Sequence, residues 1–385
     1  MDINNSVSGK VVKSITGYNY FVPNPLPPKI TWTNALVTNL SRANYIFGML
    51  AREGNNISNP YVLMRPFVTR EAVLSSKIEG TQATLGEILA EEVGAHVDRN
   101  SGELKEVKNY ISALEYGLEL LGDLPLCMRL IRKVHAKLMD GARGSHTTPG
   151  EIRKTQNWIG TPGCMLNAAK YIPPAPEVLS ECLDEFEKFL HDRTLPLLVH
   201  IALCHYQFEA IHPFLDGNGR IGRLLISLLL VERKVLSSPI LYLSAFFEAT
   251  RDEYYKQLYN VSSSGSWQEW LLYFLNGVAT QSQDILSRIE RMNALIVEWE
   301  ESIRSNHSVV LREIIKYFSI NPYLTIKKIA QKLNIAFTTA QRAIEKLENL
   351  GIVSQTSPGL RDRVYCATKI LAILEEPAVI RNITI

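Results

Sequence analysis

The stretch that leaves this chain the fewest choices runs through residues 197–232. Two long apolar runs are separated there by His212-Pro-Phe-Leu-Asp-Gly-Asn-Gly-Arg-Ile-Gly-Arg223. Pro196 opens the first run and Pro213 closes it. In the second, Ile221, Leu224, Leu225, Leu228 and Leu229 recur at helical spacing, so a buried helix restarts at about Asn218. A chain with two such helices must build a helical core around them, with the intervening turn at a helix N-terminus.

That turn has the chemistry of an anion site. Unpaired backbone N–H groups and the helix dipole favour negative charge at a helix N-terminus. Gly217 and Gly219 allow close approach of a phosphate and backbone angles that a side chain forbids. Arg220 and Arg223, three residues apart, share a helix face and can clamp further phosphate oxygens. Asp216 is a hard oxygen ligand suited to magnesium, which takes one or two carboxylates plus substrate phosphates. His212 is the one group in the turn able to accept a proton near neutral pH. A Gly-Asn-Gly turn between helices can also be plain turn chemistry. The concentration of base, carboxylate, anion nest and two arginines within one short segment favours nucleotide phosphate chemistry instead.

These residues carry a resemblance. The segment is similar to the signature of Fic-domain proteins, His-x-Phe-x-Asp/Glu-Gly-Asn-Gly-Arg-x-x-Arg, and all of its fixed positions match. The resemblance covers roughly residues 10 to 300. It implies an all-α, Fic-type helical bundle with a small β-hairpin flap, and transfer of AMP from ATP, with Mg2+, to a Tyr, Thr or Ser hydroxyl of a target protein or of the chain itself. His212 is then the catalytic base and Asp216 the metal ligand. Gly217, Asn218, Gly219, Arg220 and Arg223 bind the nucleotide phosphates, and Tyr254 and Tyr255, which could equally be core, wall the base.

Upstream, Ser75-Ser-Lys-Ile-Glu79-Gly80 matches the inhibitory-helix pattern Ser/Thr-x-x-x-Glu-Gly/Asn of self-restrained Fic proteins. Ser75 and Glu79 lie one above the other on a helix expected over about 67–80, and Gly80 stops it. The resemblance implies that Glu79 pairs with Arg223, removing the cation meant for the γ-phosphate. Residues 157–160 and 170–172 read as a β-hairpin around Pro162 and Gly163. It resembles the Fic flap, which implies that Trp158, Ile159 and Gly160 hold the target by strand addition. His200, His205 and Glu209 lack metal-site spacing and read as satisfied, buried groups supporting the motif turn.

The rest of the chain sets the organisation. Residues 1 to about 30, with Pro23, Pro25, Pro27 and Pro28, read as an extended surface arm. Helical patterns cover about 32–50, 83–92, 104–122, 125–140, 177–192, 250–258 and 267–304. Near Ser305 the composition changes. Helices at 309–318, 323–333 and 336–350, then extended residues 352–354 and 363–365, describe a C-terminal winged helix-turn-helix. Ten Lys/Arg against four Asp/Glu between 305 and 372 suit DNA, with Gln341 and Arg342 facing a groove and Arg361 and Arg363 on the wing; a protein contact or dimer surface fits as well. The expected division is therefore 1–100 for the N-terminal arm and inhibitory region, 101–300 for the catalytic core and 305–375 for the winged helix.

Composition excludes little. A net charge of +2 gives no global pull toward nucleic acid, and no stretch is apolar and long enough to span a membrane. No basic, apolar leader opens the chain, and the five cysteines show no C-x-x-C, so a cytoplasmic protein with reduced thiols is expected. Two alternatives stay open: a different transfer on the same scaffold, such as phosphate or phosphocholine, and a DNA-binding regulator that uses an inhibited Fic domain as a nucleotide sensor.

Overall fold

The computed structural model describes residues 3, 5–56, 60–141, 148–161, 163–236, 239–304, 308–357 and 363–380, with the backbone alone at 55, 56 and 60–64. At its centre lie α7 (Leu197–Ile211) and α8 (Asn218–Glu232). Nearly every residue of α7 is buried, polar ones included. A helix apolar all round must be covered on all sides, and the other helices do this. α4 (Ser101–Leu120) and α5 (Met128–Leu138) pack on each other and against α8; α6 (Pro176–Leu190), α10 (Arg251–Ser264) and α11 (Trp267–Ser302) cover α7. Trp270 of α11 is fully buried and donates its indole N–H to the Ala202 carbonyl at 3.0 Å.

The N-terminal region differs from the extended arm expected. β1 (Gly9–Lys13) and β2 (Asn19–Pro23) form an antiparallel hairpin, turning at Gly17 with φ +94°. Phe21 points inward, and its N–H donates to the Ile172 carbonyl at 2.9 Å, fastening the hairpin to the flap region. The flap, in turn, is less of a hairpin than expected. Its pairing is a single bridge between Ile159 and Tyr171, followed in space by a 3₁₀ turn at Leu166–Ala168. Pro173 and Pro174 lack the N–H a longer ladder needs, and the Asn157 amide is drawn to the Phe214 carbonyl at 2.8 Å. Pro162 lies outside the described residues.

Two further helices position the site. α1 (Asn34–Asn56) packs along α11. α2 (Pro60–Ile78) starts earlier than the 67–80 helix read from the sequence and ends where Gly80 adopts φ +103°. α3 (Leu85–Glu92) follows, opened by a capping box between Thr84 and Glu87. α9 (Ser244–Ala249) packs on α2.

The C-terminal unit is a winged helix with one strand more than expected. α12 (Val309–Ile320), α13 (Ile326–Leu333) and α14 (Phe337–Asn349) surround β3 (Tyr323–Thr325), β4 (Ser354–Gln355) and β5 (Val364–Cys366), in the order β3-β5-β4, and α15 (Thr368–Glu375) closes it. Residues 323–325, read as the start of a helix, pair with β5 instead; Thr325 then caps α13 by accepting from Lys328 N–H. Ser305, the expected boundary, and Arg361 of the wing lie outside the described residues.

This unit is built onto α2, α3 and α11. Arg70 of α2 donates to the Glu376 carbonyl at 3.1 Å, Gly86 N–H to the Glu375 carboxylate at 3.0 Å, and Asn321 to the Leu89 carbonyl at 3.1 Å. Between them, Asp284 holds Arg288 through two bonds of 2.8 and 3.0 Å and faces Arg70 at 3.7 Å. Burial and the Arg288 charge lower the Arg70 pKa to about 10. Removing one partner of a buried ionic group leaves the other uncompensated, so Asp284→Ala should lower unfolding stability by about 3 kcal/mol, measured by urea denaturation. A loss no larger than an exposed pair gives would mean that water already screens the cluster.

Candidate active site

Residues 212–223 fold as a tight turn whose shape follows from a few side chains. His212 ends α7 in the left-handed region, φ 51° and ψ 61°, which a residue with a Cβ adopts only when its surroundings impose it. Arg153 imposes it. This buried guanidinium donates to the His212 carbonyl at 2.9 Å and to Pro174 at 2.5 Å, while its own N–H donates to Pro213 at 3.0 Å. Asn218 closes the turn from within. Its carboxamide accepts from Phe214 N–H and donates to the Phe214 carbonyl, both at 2.8 Å. Below, His135 accepts from Gly150 N–H at 2.8 Å on Nδ1, so Nε2 carries its proton and donates to the Asp216 carbonyl at 3.0 Å. Its ring stacks on Phe214, centroids 3.7 Å apart.

The turn opens into a cavity of about 650 Å³ lined by His212, Asp216–Arg220, Arg223, Glu79, the flap residues Trp158, Ile159 and Gly160, and an aromatic group that includes Tyr206, Tyr254 and Tyr255. Of the residues read as catalytic, nucleotide-binding, inhibitory or flap, all but Ser75 line this one cavity, and Ser75 lies just behind. His212 Nδ1 is 3.3 Å from the Glu209 carbonyl; with its proton there, Nε2 is left as a lone pair. Burial, aided by the Arg153 charge, brings the His212 pKa down to about 4.

Arg220 is almost fully buried, yet among the described residues its Nε and Nη1 have no partner. A buried guanidinium with unused donors beside an N-terminal nest has the chemistry to receive an anion. Asp216 is half exposed; one oxygen accepts Gly217 N–H at 2.6 Å and lies 3.7 Å from Arg220. Among the described residues no group of three or more His, Cys, Asp or Glu side chains could hold a metal. A lone carboxylate facing a phosphate nest still suits magnesium, which draws its other ligands from phosphate and water.

Arg223, buried, donates from Nε to Ser75 Oγ at 2.9 Å, and from Nη2 to the Ser75 carbonyl at 2.9 Å and to Glu79 at 2.7 Å. Burial alone would pull its pKa down, but the Glu79 charge outweighs it and holds the guanidinium cationic. The reverse holds for Glu79: burial raises its pKa, and Arg223 more than offsets this. Glu79 Oε1 would lie only 2.3 Å from a Cβ at position 219, so Gly219 is the residue type that admits it.

Several supports escaped the sequence reading. Arg153 and His135 carried no motif, and only the fold brings them to the turn. Tyr254, one of the two candidate base walls, is buried and bonded through its hydroxyl to His205 Nε2 at 2.7 Å, while His205 Nδ1 reaches the Gly222 carbonyl at 2.9 Å; Tyr255 is the more exposed of the pair. His205 is thus satisfied, as expected, but Glu209 is not. Its Oε1 is buried without a partner among the described residues. The helix that brings Glu209 beside Gly222 gives it space but no donor.

The comparisons with known proteins agree with this geometry. Residues 37–119 match the Fic/DOC family N-terminal model, 125–230 the Fic/DOC family model and 309–354 a winged helix-turn-helix DNA-binding model. The chain therefore carries the N-terminal and Fic domains of the Fic/DOC family followed by a winged helix. Over 163 residues, 40% of this chain, it is 32% identical to the protein adenylyltransferase Fic of Drosophila erecta, and it spans 30% of that relative's length. A Fic family protein from Desulfovibrio desulfuricans G20 shares the fold with a TM-score of 0.57 at 20% identity, covering 89% of this chain and 98% of that one. Fic-1 from C. elegans does so with a TM-score of 0.51 at 22% identity, over 66% and 74%.

Carbon-detected NMR of labelled histidine should find His212 titrating with a midpoint near 4, against about 6.5 in urea. The native ring takes its proton later than the unfolded chain does. Its contribution to stability is therefore complete above about 6.5 and is lost as pH falls toward 4. A native midpoint near 6.5 would mean that water enters around the ring.

Proposed function

We propose that this chain is a protein adenylyltransferase that moves AMP from Mg–ATP to a Tyr, Thr or Ser hydroxyl of a target protein, and that Glu79 restrains it. The observation that carries the reading is Arg220: a buried guanidinium with unused donors, set in an N-terminal nest beside a neutral histidine and an arginine already claimed by a carboxylate. The named adenylyltransferase relatives point the same way.

In this reading the target hydroxyl oxygen attacks the α-phosphorus while His212 Nε2 takes its proton. The bond from the α-phosphorus to the bridging oxygen breaks, and pyrophosphate leaves. Backbone N–H groups of Asn218 and Gly219, and that of Gly217 once Asp216 turns from it to the metal, receive charge on the transferring group. Arg220 and Arg223 hold the β- and γ-phosphates and so set the α-phosphate for in-line attack. Asp216 would hold magnesium, which supplies charge neutralisation at the phosphates. Trp158, Ile159 and Gly160 of the flap present the target chain next to His212, and Tyr255 with Tyr254 borders the base. A neutral His212 is the state a general base requires, and burial keeps it so through physiological pH.

Glu79 acts by occupation. A γ-phosphate and the Glu79 carboxylate cannot both take the Arg223 guanidinium, so ATP meets an anion where it needs a cation. Ser75 fixes the same guanidinium from behind and aligns the pair.

A second reading has one observation of its own. The N-terminal half of α14 is turned outward, with Phe337, Thr338, Thr339 and Arg342 exposed, which suits a helix entering a groove of DNA. The chain would then be a DNA-binding regulator with Glu79 holding a nucleotide sensor closed.

Paired labelling separates these. Wild type and Glu79→Gly are incubated with magnesium and ATP labelled at the α- or the γ-phosphate. AMP transfer predicts protein-bound label from the α-position only, at least tenfold stronger in Glu79→Gly by the usual scale of a strong ion pair, and absent once His212→Ala is added. Label from the γ-position alone would replace the reading with phosphate transfer. No label from either, with a footprint on DNA lost in Arg342→Ala, would favour the regulator.

A further inference from the structure

The Glu209 side chain has no role in the reaction just described, and its surroundings do not explain it. It stands on α7 one turn before His212 and one turn after Tyr206, and all three line the cavity. Oε1 is sealed against the α8 backbone: a Cβ at Gly222 would lie 2.2 Å from it, so the glycine is what makes room. Among the described residues Oε1 receives no hydrogen bond, and Oε2 is the oxygen not sealed from the cavity. Burial raises its pKa to about 7, with Arg223 opposing and Glu79 reinforcing the rise. A carboxylate held without a protein donor is unfavourable, and a ligand donor reaching the oxygen that faces the cavity would offset it.

The neighbouring groups narrow what that ligand atom is. The Tyr206 hydroxyl is bonded to Ser262 Oγ at 2.9 Å and the Tyr254 hydroxyl to His205, so neither answers Glu209. Phosphate oxygens accept and cannot satisfy a carboxylate. Along α7 the residue sits about 4.5 Å from His212 toward Tyr206 at the helical rise of 1.5 Å per residue, away from the anion turn and toward the aromatic end.

We propose that Glu209 is the nucleoside-recognising acceptor of the cavity, taking a hydrogen bond from a donor of the bound nucleoside, either a ribose hydroxyl or the exocyclic amino group of the base. The proposal rests on the nucleotide reading above. A site built around such an acceptor rejects analogues lacking the donor, because the carboxylate is then left buried and unpaired.

The test is binding, measured by calorimetry with magnesium in Glu79→Gly protein, for ATP, 2′-deoxy-ATP, 3′-deoxy-ATP and purine riboside triphosphate, which lacks the amino group. Glu209→Ala should weaken ATP about tenfold or more, the scale of one charged hydrogen bond. It should leave unchanged the affinity for the analogue that lacks the donor in question, so the deoxy compounds identify a ribose hydroxyl and purine riboside triphosphate the amino group. Glu209→Gln keeps the volume and one acceptor oxygen, and should fall between on ATP with the same analogue selectivity; it carries the test if the alanine variant folds poorly. Equal loss with all four ligands, or no loss with any, would overturn the inference while leaving the nucleotide reading intact. Parent protein that binds none of the four would overturn both.

Discussion

A guanidinium withdrawn from water has to be answered by the protein, and Arg223 is withdrawn almost completely. Its answer comes from one neighbour, the end of α2, through the Ser75 hydroxyl, the Ser75 carbonyl and the Glu79 carboxylate. That single requirement joins the central helix pair to the N-terminal region. It also explains why Gly219 is bare: the carboxylate reaches so far into the turn that no side chain fits there. The charge assigned to the γ-phosphate in the proposed reaction is thus the same charge that holds α2 in place.

The turn itself is held from behind and from within. Arg153 fixes the left-handed His212, Asn218 closes the loop on Phe214, and His135 donates to the Asp216 carbonyl. Each satisfies a backbone group that would otherwise be buried without a partner. The result is a closely held nest in which burial keeps His212 neutral and Glu79 keeps Arg223 cationic. In the proposed reaction, preorganisation of this kind would let the site meet developing charge without rearranging.

How far the sequence could be read follows from where its information sits. The motif is contiguous, so residues 212–223 and the two helices around them were legible from spacing alone. The link to residues 75–79 came through resemblance, since no local rule joins two segments so far apart. Arg153 and His135 had no signal, because a lone arginine or histidine acquires meaning only from the chain folded over it. The flap was over-read: Trp158, Ile159 and Lys170–Ile172 look extended, yet Pro173 and Pro174 deny the ladder its donors. The N-terminal hairpin was under-read, although Val11 and Val12, Gly17 and Tyr20–Val22 hold the alternation and the turn. Tyr323–Thr325 was too short a strand to stand out beside the helix that follows. Glu209 was misread for a different reason. Burial was foreseeable, but an absent partner is visible only in three dimensions.

The winged helix, finally, is not an appendage. Its α15 ends against Arg70 and Arg288, and its Glu375 and Asn321 reach the backbone of α3. Arg70 lies on the same helix as Ser75. Cutting the chain between the two modules would therefore strip the outer wall from the helix that carries Ser75, and leave Arg70 and Arg288 facing solvent in place of the carbonyls they now hold. A fragment ending before the winged helix would report the behaviour of a loosened α2 and not that of the whole chain.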